Sequence, residues 1–464
     1  FLPCALYSLP RFTELLGYIY LLGICICNHY FNAHSSLHYA MEEVQKIMST
    51  IDILFIIGFI GIWIPQAFWA WLSFSAWRYS IRTSKELANL PVPQRWPMLS
   101  VLIPAYNEGL VIEDTLRALA AQDYPAESYE VLLINDASKD DTQEIADRMA
   151  AEFPVIRVVN VPKGQGGKGK SRTLNNGLKY AQGELIAVYD ADSTPEPNCV
   201  RLIAQTLLAD SSLVAVNGKV RTRNWKDSAL STFIAIEFIY FQWIFQGGRW
   251  LRFRLSTLMG TNYVIWRDAL DILGGFDEKS LVDDTEMSYR IFLGHKRIKW
   301  VPYAVGWQQD PGDLGIFIKQ RSRWTQGNFY VTRKYLRTAI RHPFPIGMEI
   351  GNNIMCYIMF IPALFLSHLT MIIGLLGIDG TTIPGPFTLL FILAFILYLI
   401  QIWFTLSLEK EVPKRFYFYA FIAYFTYSQV FLLIVFKAAW DMLKSKIKGE
   451  GITWYKTERK KEKK

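Results

Sequence analysis

Cysteine is scarce in this sequence. The five residues, Cys4, Cys25, Cys27, Cys199 and Cys356, are scattered and mostly lie in apolar context. They read as buried reduced thiols, which argues against a disulfide framework or a cysteine-built metal centre. Internal repeats are absent, and the only low-complexity tract is the basic tail ERKKEKK, so nothing suggests a repeat architecture. The chain opens on Phe1 instead of methionine; its true start is expected to be trimmed or missing, and no signal peptide is assigned.

Apolar residues are in excess. A length of 464 residues exceeds one ordinary domain, and 51% hydrophobic with 15% aromatic is high for a soluble enzyme. Membrane insertion accounts for the surplus. A net charge of +8 would suit nucleic acid, but the basic residues cluster beside apolar segments and in the tail. That pattern points to an anionic inner leaflet, with no nucleic-acid partner.

Residues 14 to 34 are apolar over a length marginal for spanning, whereas 52 to 77 are ample for a membrane helix. Arg78, Arg82 and Lys85 follow at once, which predicts that residue 79 onward is cytoplasmic. From Pro97 the texture changes. Strands are predicted at 99–103, 130–135, 155–159 and 185–189, with helices near 109–121, 141–152, 171–181 and 197–209, and later strands at 213–220, 257–266 and 298–301. Such alternation argues for a mainly parallel sheet covered by helices on both faces. Amphipathic helix is expected over 313–341, where Phe317, Trp324, Phe329, Tyr330 and Tyr335 interleave with Lys and Arg. Polar breaks at 341–345, 379–385 and 409–415 divide the remainder into apolar blocks 346–378, 386–408 and 416–440.

Four groups of residues carry chemistry. Asp190-x-Asp192 ends an apolar run, so a strand delivers two carboxylates of the kind that hold a divalent cation on diphosphate oxygens. Alone, such a pair also suits a solvated turn; Asp136, at a similar strand end, favours the ligand reading and could accept hydrogen bonds from a base or ribose. Gly164 to Ser171 matches GxxxxGK[ST] letter for letter. The strand-like run ends earlier, at Val159, with Pro162 intervening, which excludes an ATPase P-loop and leaves either a basic loop near nucleotide phosphates or a mobile surface loop. Asp283 and Asp284 open an amphipathic run, where acids favour the helix dipole and one of them could also serve as a general base. Gln320-Arg321-Ser322-Arg323-Trp324 brings two guanidinium groups and an indole, suited to phosphate and to a sugar face.

The ordered set IPAYNEG (103–109), INDASKDDT (134–142), Lys170 with LNNG (174–177), DAD (190–192), GTNYVIWRDAL (260–270), GGFDEKSLVDDTE (274–286) and QRSRW (320–324) resembles the processive family 2 glycosyltransferases. These are the membrane synthases of cellulose, hyaluronan, chitin oligomers and poly-N-acetylglucosamine. The likeness covers roughly residues 99–330 and extends more loosely over the membrane segments.

The resemblance implies an α/β GT-A domain, a mixed, mainly parallel sheet with flanking helices, inserted between transmembrane and interfacial helices. The implied layout is membrane helices in 1–78, the cytoplasmic catalytic domain in 79–312, interface helices in 313–345, translocation helices in 346–443 and a gating tail in 444–464. By the same resemblance Asp136 and Lys170 contact the nucleotide, and Asp190 and Asp192 hold UDP with Mg2+ or Mn2+. Asp284 matches the last acid of a Thr-Glu-Asp motif that reads Val282-Asp283-Asp284 here. It would be the base, while the part played by Asp283 differs from the family pattern. Gln320, Arg321, Arg323 and Trp324 would bind the acceptor end and diphosphate, and Trp454, Thr457 and Arg459 would close over the nucleotide.

The expected activity is polymerisation of a UDP-sugar at the cytoplasmic face of the plasma membrane into an extracellular polysaccharide passed through the enzyme's own helices. UDP-N-acetylglucosamine is the first donor and UDP-glucose the second. Partners are the donor, the growing chain and the bilayer, with accessory membrane subunits left open. Rival readings are a single transfer to a lipid phosphate carrier, against which QRSRW speaks, and an inactive export subunit, against which the intact acids speak. The stretch after Trp440, roughly two dozen residues, is too short for a cyclic-dinucleotide domain. A cytoplasmic tail also requires an even number of crossings after the catalytic domain. Either the block 346–378, broken by Pro362, lies partly in the interface, or 416–440 is not a simple span.

Overall fold

The computed structural model describes residues 50–162, 164–376 and 387–448. The predicted helix at 14–34, Cys4, Cys25, Cys27, the break at 379–385 and the tail with Trp454, Thr457 and Arg459 lie outside the described residues.

The chain divides into two compact units. In the smaller, Phe1–Trp63 with Pro362–Ala394, a buried cluster of Phe55, Ile62, Ala363, Phe391 and Ala394 holds apolar helical segments together. Phe55 and Phe391 meet edge to face with centroids 5.4 Å apart.

The larger unit, Ile64–Ile361 with Phe395–Lys464, is built on an eight-stranded sheet. Its strands are β1 (Leu99–Ala105), β2 (Tyr129–Asn135), β3 (Ile156–Asn160), β4 (Leu185–Val188), β5 (Thr194–Pro195), β6 (Leu213–Thr222), β7 (Tyr263–Trp266) and β8 (Arg297–Gln308), in the order β3-β2-β1-β4-β7-β6-β8-β5. β3, β2, β1 and β4 run parallel, β7 is antiparallel to both neighbours, and β6 and β8 are parallel. Successive residues of β1 face opposite sides: Val101 and Ile103 enter one buried cluster and Leu102 the other. Burial on both faces explains why these strands read as unbroken apolar runs in place of an alternation.

Two predicted strands differ in extent. The run 257–266 is strand only from Tyr263, because side chains capture the backbone before it: Gln246 Oε1 accepts from the Thr257 N–H, Ser288 Oγ from the Leu258 N–H, and the Thr257 carbonyl accepts from Asn217. The run 298–301 extends to Gln308. Between the pairs Asn217 with Trp300 and Lys219 with Val305 the register slips, and Pro302 falls in that irregularity, where its missing N–H costs no ladder bond.

One helix went unread in the sequence. Ser228 and Ser231 form a reciprocal N-terminal cap, and helix then runs through Ala229–Phe253, with a wide turn at Gln242–Gly248. Gln242 ties it to the sheet, accepting from the Val220 N–H and donating to the Val220 carbonyl, both at 2.8 Å.

Asp313 caps a helix over Leu314–Arg341, accepting from the Ile316 N–H at 3.1 Å. Among the described residues four helices are long and apolar enough to cross a membrane: Phe55–Ala88, Ala229–Phe253, Pro343–Leu369 and Leu389–Ser407. Arg415–Phe425 and Tyr427–Lys448 make a further candidate bent by 47°.

Candidate active site

The carboxyl ends of β1, β2 and β4 form the edge where an open α/β sheet gathers ligands. The turns after β1 and β2 place Asn107 and Ala137 at φ of 55° and 59°, a left-handed conformation that costs energy for residues other than glycine. Mutual hydrogen bonds hold it. The Asn107 N–H donates to Ser138 Oγ at 3.0 Å, and Asn107 Oδ1 accepts from the Lys139 N–H at 2.7 Å. Asp136 is thereby fixed at the end of β2, buried, with its own N–H on the Ala105 carbonyl.

The glycine-rich loop docks on that aspartate. Asp136 Oδ2 accepts from the Gly167 N–H at 2.8 Å, and a Cβ at Gly166 would lie 2.2 Å from the Asp136 carbonyl oxygen, so only glycine permits the approach. Helix Lys170–Leu178 follows directly. The alternative of an unattached surface loop does not hold for this segment.

Lys170 joins the acids. Its Nζ lies 2.6 Å from Asp190 Oδ1 and 2.5 Å from the Gly260 carbonyl. A Cβ on Gly260 would in turn lie 3.2 Å from Asp284 Oδ2, so the Gly260 turn backs directly onto that carboxylate. Burial alone would lower the Lys170 pKa, but Asp190, Asp283 and Asp284 outweigh it and hold the ammonium above its ordinary range. Asp190 is anchored through its N–H to Thr261 Oγ1, and the buried Asp192 accepts from the Gln309 N–H at 3.2 Å.

Asp283 and Asp284 open helix Asp283–Leu293, where the dipole favours negative charge. The surroundings of Asp284 oppose it. Asp284 keeps an exposed face, yet its carboxyl is pushed up to about 7, first by loss of water and then by the Asp283 charge, with the Thr285 N–H and Lys170 pulling the other way. Asp283 is buried, and its Oδ2 has no hydrogen-bond partner among the described residues.

Among the described residues no three metal-ligating side chains come together. A divalent cation would therefore draw on Asp190 and Asp192 and complete its shell with water and diphosphate oxygens, a set that fits Mg2+ or Mn2+. Asp192→Ala is accordingly expected to weaken UDP binding only when the cation is present. Titration of UDP with and without EDTA checks this, and equal affinities in the wild type under both conditions would remove the metal assignment.

The QRSRW segment divides. Gln320 and Arg321 are buried, whereas Arg323 and Trp324 are partly exposed. Arg321, expected with its neighbours to bind the acceptor end and diphosphate, is engaged inside the protein: Nη2 is held at 2.9 Å by Glu237, the group lies 4.2 Å over the Trp324 ring, and Tyr427 donates to the same Glu237 oxygen.

Three contributors escaped the sequence reading. Glu237 sits on the unread helix. The Tyr263 hydroxyl is fully buried with no partner among the described residues, and burial first, then the charges of Asp283, Asp284 and Asp190, push its ionisation well above the ordinary range. Its position inside GTNYVIW was visible; its proximity to the acids was not. Asp310 is buried between Thr222 and Gln308 and pushed up to about 6 by burial.

A parallel-to-mixed sheet of this order, with strand-end acids and a carboxylate at a helix start, defines a glycosyltransferase of GT-A architecture. Residues 97–327 match the model of glycosyltransferase like family 2. A probable glycosyltransferase, YdaM, of Bacillus subtilis (strain 168) is 34% identical over 415 residues, covering 88% of this chain and 97% of that one. The chain belongs to glycosyltransferase family 2. A poly-beta-1,6-N-acetyl-D-glucosamine synthase of Staphylococcus aureus (strain COL) is 30% identical over 257 residues, covering 55% of this chain and 61% of that protein. Among solved structures the mannosyltransferase PcManGT from Pyrobaculum calidifontis, in complex with GDP-Man and Mn2+, superposes with a TM-score of 0.54 at 22% identity over 84% of this chain and 99% of that one; the likeness is one of fold.

Proposed function

We propose that the protein is a processive, inverting β-glycosyltransferase that polymerises a UDP-sugar at the cytoplasmic face of the plasma membrane and passes the polysaccharide through its own multi-pass helices. UDP-N-acetylglucosamine is the first choice of donor, supported by the name of the staphylococcal relative, and UDP-glucose the second. The observation that carries the reading is the Lys170 bridge between Asp190 and the Gly260 turn that backs Asp284. It sets one carboxylate of tuned basicity beside acids suited to a diphosphate.

Asp284 takes the proton from an acceptor hydroxyl as that oxygen displaces UDP from the sugar carbon. One base is sufficient for direct displacement with inversion, and no covalent intermediate is needed. Asp190 and Asp192 would hold Mg2+ or Mn2+, which supplies charge to the departing diphosphate. Lys170 keeps Asp190 and the Gly260 turn in register, and Asp136 with its docked glycine loop lines the nucleotide side. Arg323 and Trp324 form the acceptor platform, and Trp454, Thr457 and Arg459 complete the site as a gate.

Trp324→Ala is expected to lower chain elongation more than donor hydrolysis, because an aromatic platform positions the acceptor without activating the leaving group. UDP release measured against polymer formed should uncouple; equal loss of both would make the tryptophan purely structural. The reading as a whole is tested with purified protein and a panel of UDP-sugars, following UDP release and digesting the product with linkage-specific hydrolases. A single sugar on a lipid phosphate would replace polymerisation, and no turnover with any donor would leave an inactive export subunit.

A further inference from the structure

A polar cavity of about 350 Å3 opens far from the acids just described. Four cations, Arg82, Arg254, Arg297 and Lys299, face it against two carboxylates, Glu86 and Asp210. Glu86 is engaged by Arg82 and Lys299, each at 2.9 Å. Arg254 and Arg297 have no carboxylate partner among the described residues; Arg254 lies over the ring of the buried Trp250 at 5.4 Å. Both arginines are exposed. From beyond ion-pair distance Arg297 and Lys299 both act on the Asp210 carboxylate, and four cations against two carboxylates still leave an excess of positive charge, carried on guanidinium groups, the side chains best suited to a phosphate oxygen pair.

Its position separates it from the chemistry. Arg297 begins β8 opposite Leu213 at the start of the parallel β6, while Thr222 and Gln308 end those strands next to the Gln309–Asp192 contact. Ten residues of strand put roughly 30 Å between the two sites.

Helix Thr50–Ala88 sets its depth. Trp71, Phe74 and Trp77 are exposed on it, with the Arg252 guanidinium 4.8 Å over Trp71, an arrangement suited to the membrane interface. Arg82 lies five residues beyond Trp77, about 7 to 8 Å along the helix, at the level of lipid phosphates.

We propose that this cavity binds a phosphate group at the membrane surface, with Arg254 and Arg297 as its principal ligands. The inference rests on reading residues 52–77 as a membrane span. It is independent of the donor, the polymer and the metal. An anionic lipid headgroup and a soluble phosphate share the required chemistry, and the test distinguishes them.

Detergent-purified full-length protein is presented with equal amounts of phosphatidylglycerol and phosphatidylcholine, and retained lipid is read by native mass spectrometry. The wild type is expected to retain phosphatidylglycerol preferentially. The double variant R254Q/R297Q should retain about thirtyfold less, on the scale of ~1 kcal/mol for each of the two basic residues near an anionic surface. The variant R254K/R297K should recover part of the loss, since charge remains without the planar fork. Competition by inorganic phosphate assigns the site to phosphate as such; no competition assigns it to the lipid headgroup.

Equal retention by wild type and double variant at matched melting temperature overturns the proposal, as does no preference for phosphatidylglycerol in the wild type. Should the double variant melt early, the single variant R297Q carries the comparison under the same criterion. Flotation of the wild type with pure phosphatidylcholine vesicles tests the membrane span separately, since it does not depend on the anionic lipid.

Discussion

Asp284→Asn is expected to leave UDP binding nearly intact and to lower glycosyl transfer by about 10² to 10⁴, the contribution of a positioned general base. The effect should be large because the wild-type group is tuned for proton abstraction. Burial and the adjacent Asp283 place it at about 7, where a base is both substantially ionised and willing to take a proton. Transfer by the wild type at saturating donor should therefore fall as pH drops through about 7 and level off above it. A flat profile across this range, or appreciable polymer from the asparagine variant, would remove Asp284 from that position. Stability should move the other way. The folded protein raises this carboxyl above its ordinary value, so the associated stability is present at low pH and lost as pH rises through about 7. Asparagine carries no charge to desolvate, and the variant should melt later than the wild type at pH 8. That separates loss of chemistry from loss of fold.

Glu409→Ala is expected to be the most damaging substitution outside the site. Glu409, in the segment between helices Phe387–Ser407 and Arg415–Phe425, is buried among Lys219, Arg221 and the Trp243 N–H, which lies 2.7 Å from Oε1. Burial alone would raise its pKa, but Lys219 and Arg221 outweigh it and hold the carboxyl below its ordinary range. Removing one member of a buried ion pair typically costs about 3 to 5 kcal/mol, because the other charge remains unpaired in a poor solvent. Here two cations would be stranded. Denaturant midpoints in detergent should drop sharply for the alanine variant and less for Glu409→Gln, which keeps the shape and a hydrogen-bonding oxygen. An unchanged midpoint in both would show that water reaches Lys219 and Arg221.

The sheet was legible because its strands are short apolar runs punctuated by turns, and four of the predicted strands agree with β1 to β4 within two residues at each end. The acids were legible for the same reason: Asp136 and Asp190 stand just after such runs. What stayed hidden depends on distant partners. Over Ala229–Phe241 the helix is apolar on nearly every side and has no polar face to give it a period, so Glu237 looked like one acid in a featureless stretch. β8 was cut short at Pro302 because local rules end a strand there, whereas the register slip against β6 absorbs it. The apparent P-loop illustrates the reverse case. Its letters suggested nucleotide hydrolysis, yet its glycines are explained by the approach to Asp136.

Arg321 has a consequence for how loss-of-function variants along QRSRW are interpreted. Its guanidinium, Glu237 and the Tyr427 hydroxyl lock together three helices that are far apart in the chain. A dead Arg321 variant would therefore report failed assembly, and in the cell it would be seen as missing protein cleared by quality control. A dead Arg323 variant, from a partly exposed position on the same turn, would accumulate normally and fail only at turnover. Abundance on an immunoblot would sort the two kinds of failure before any assay is run.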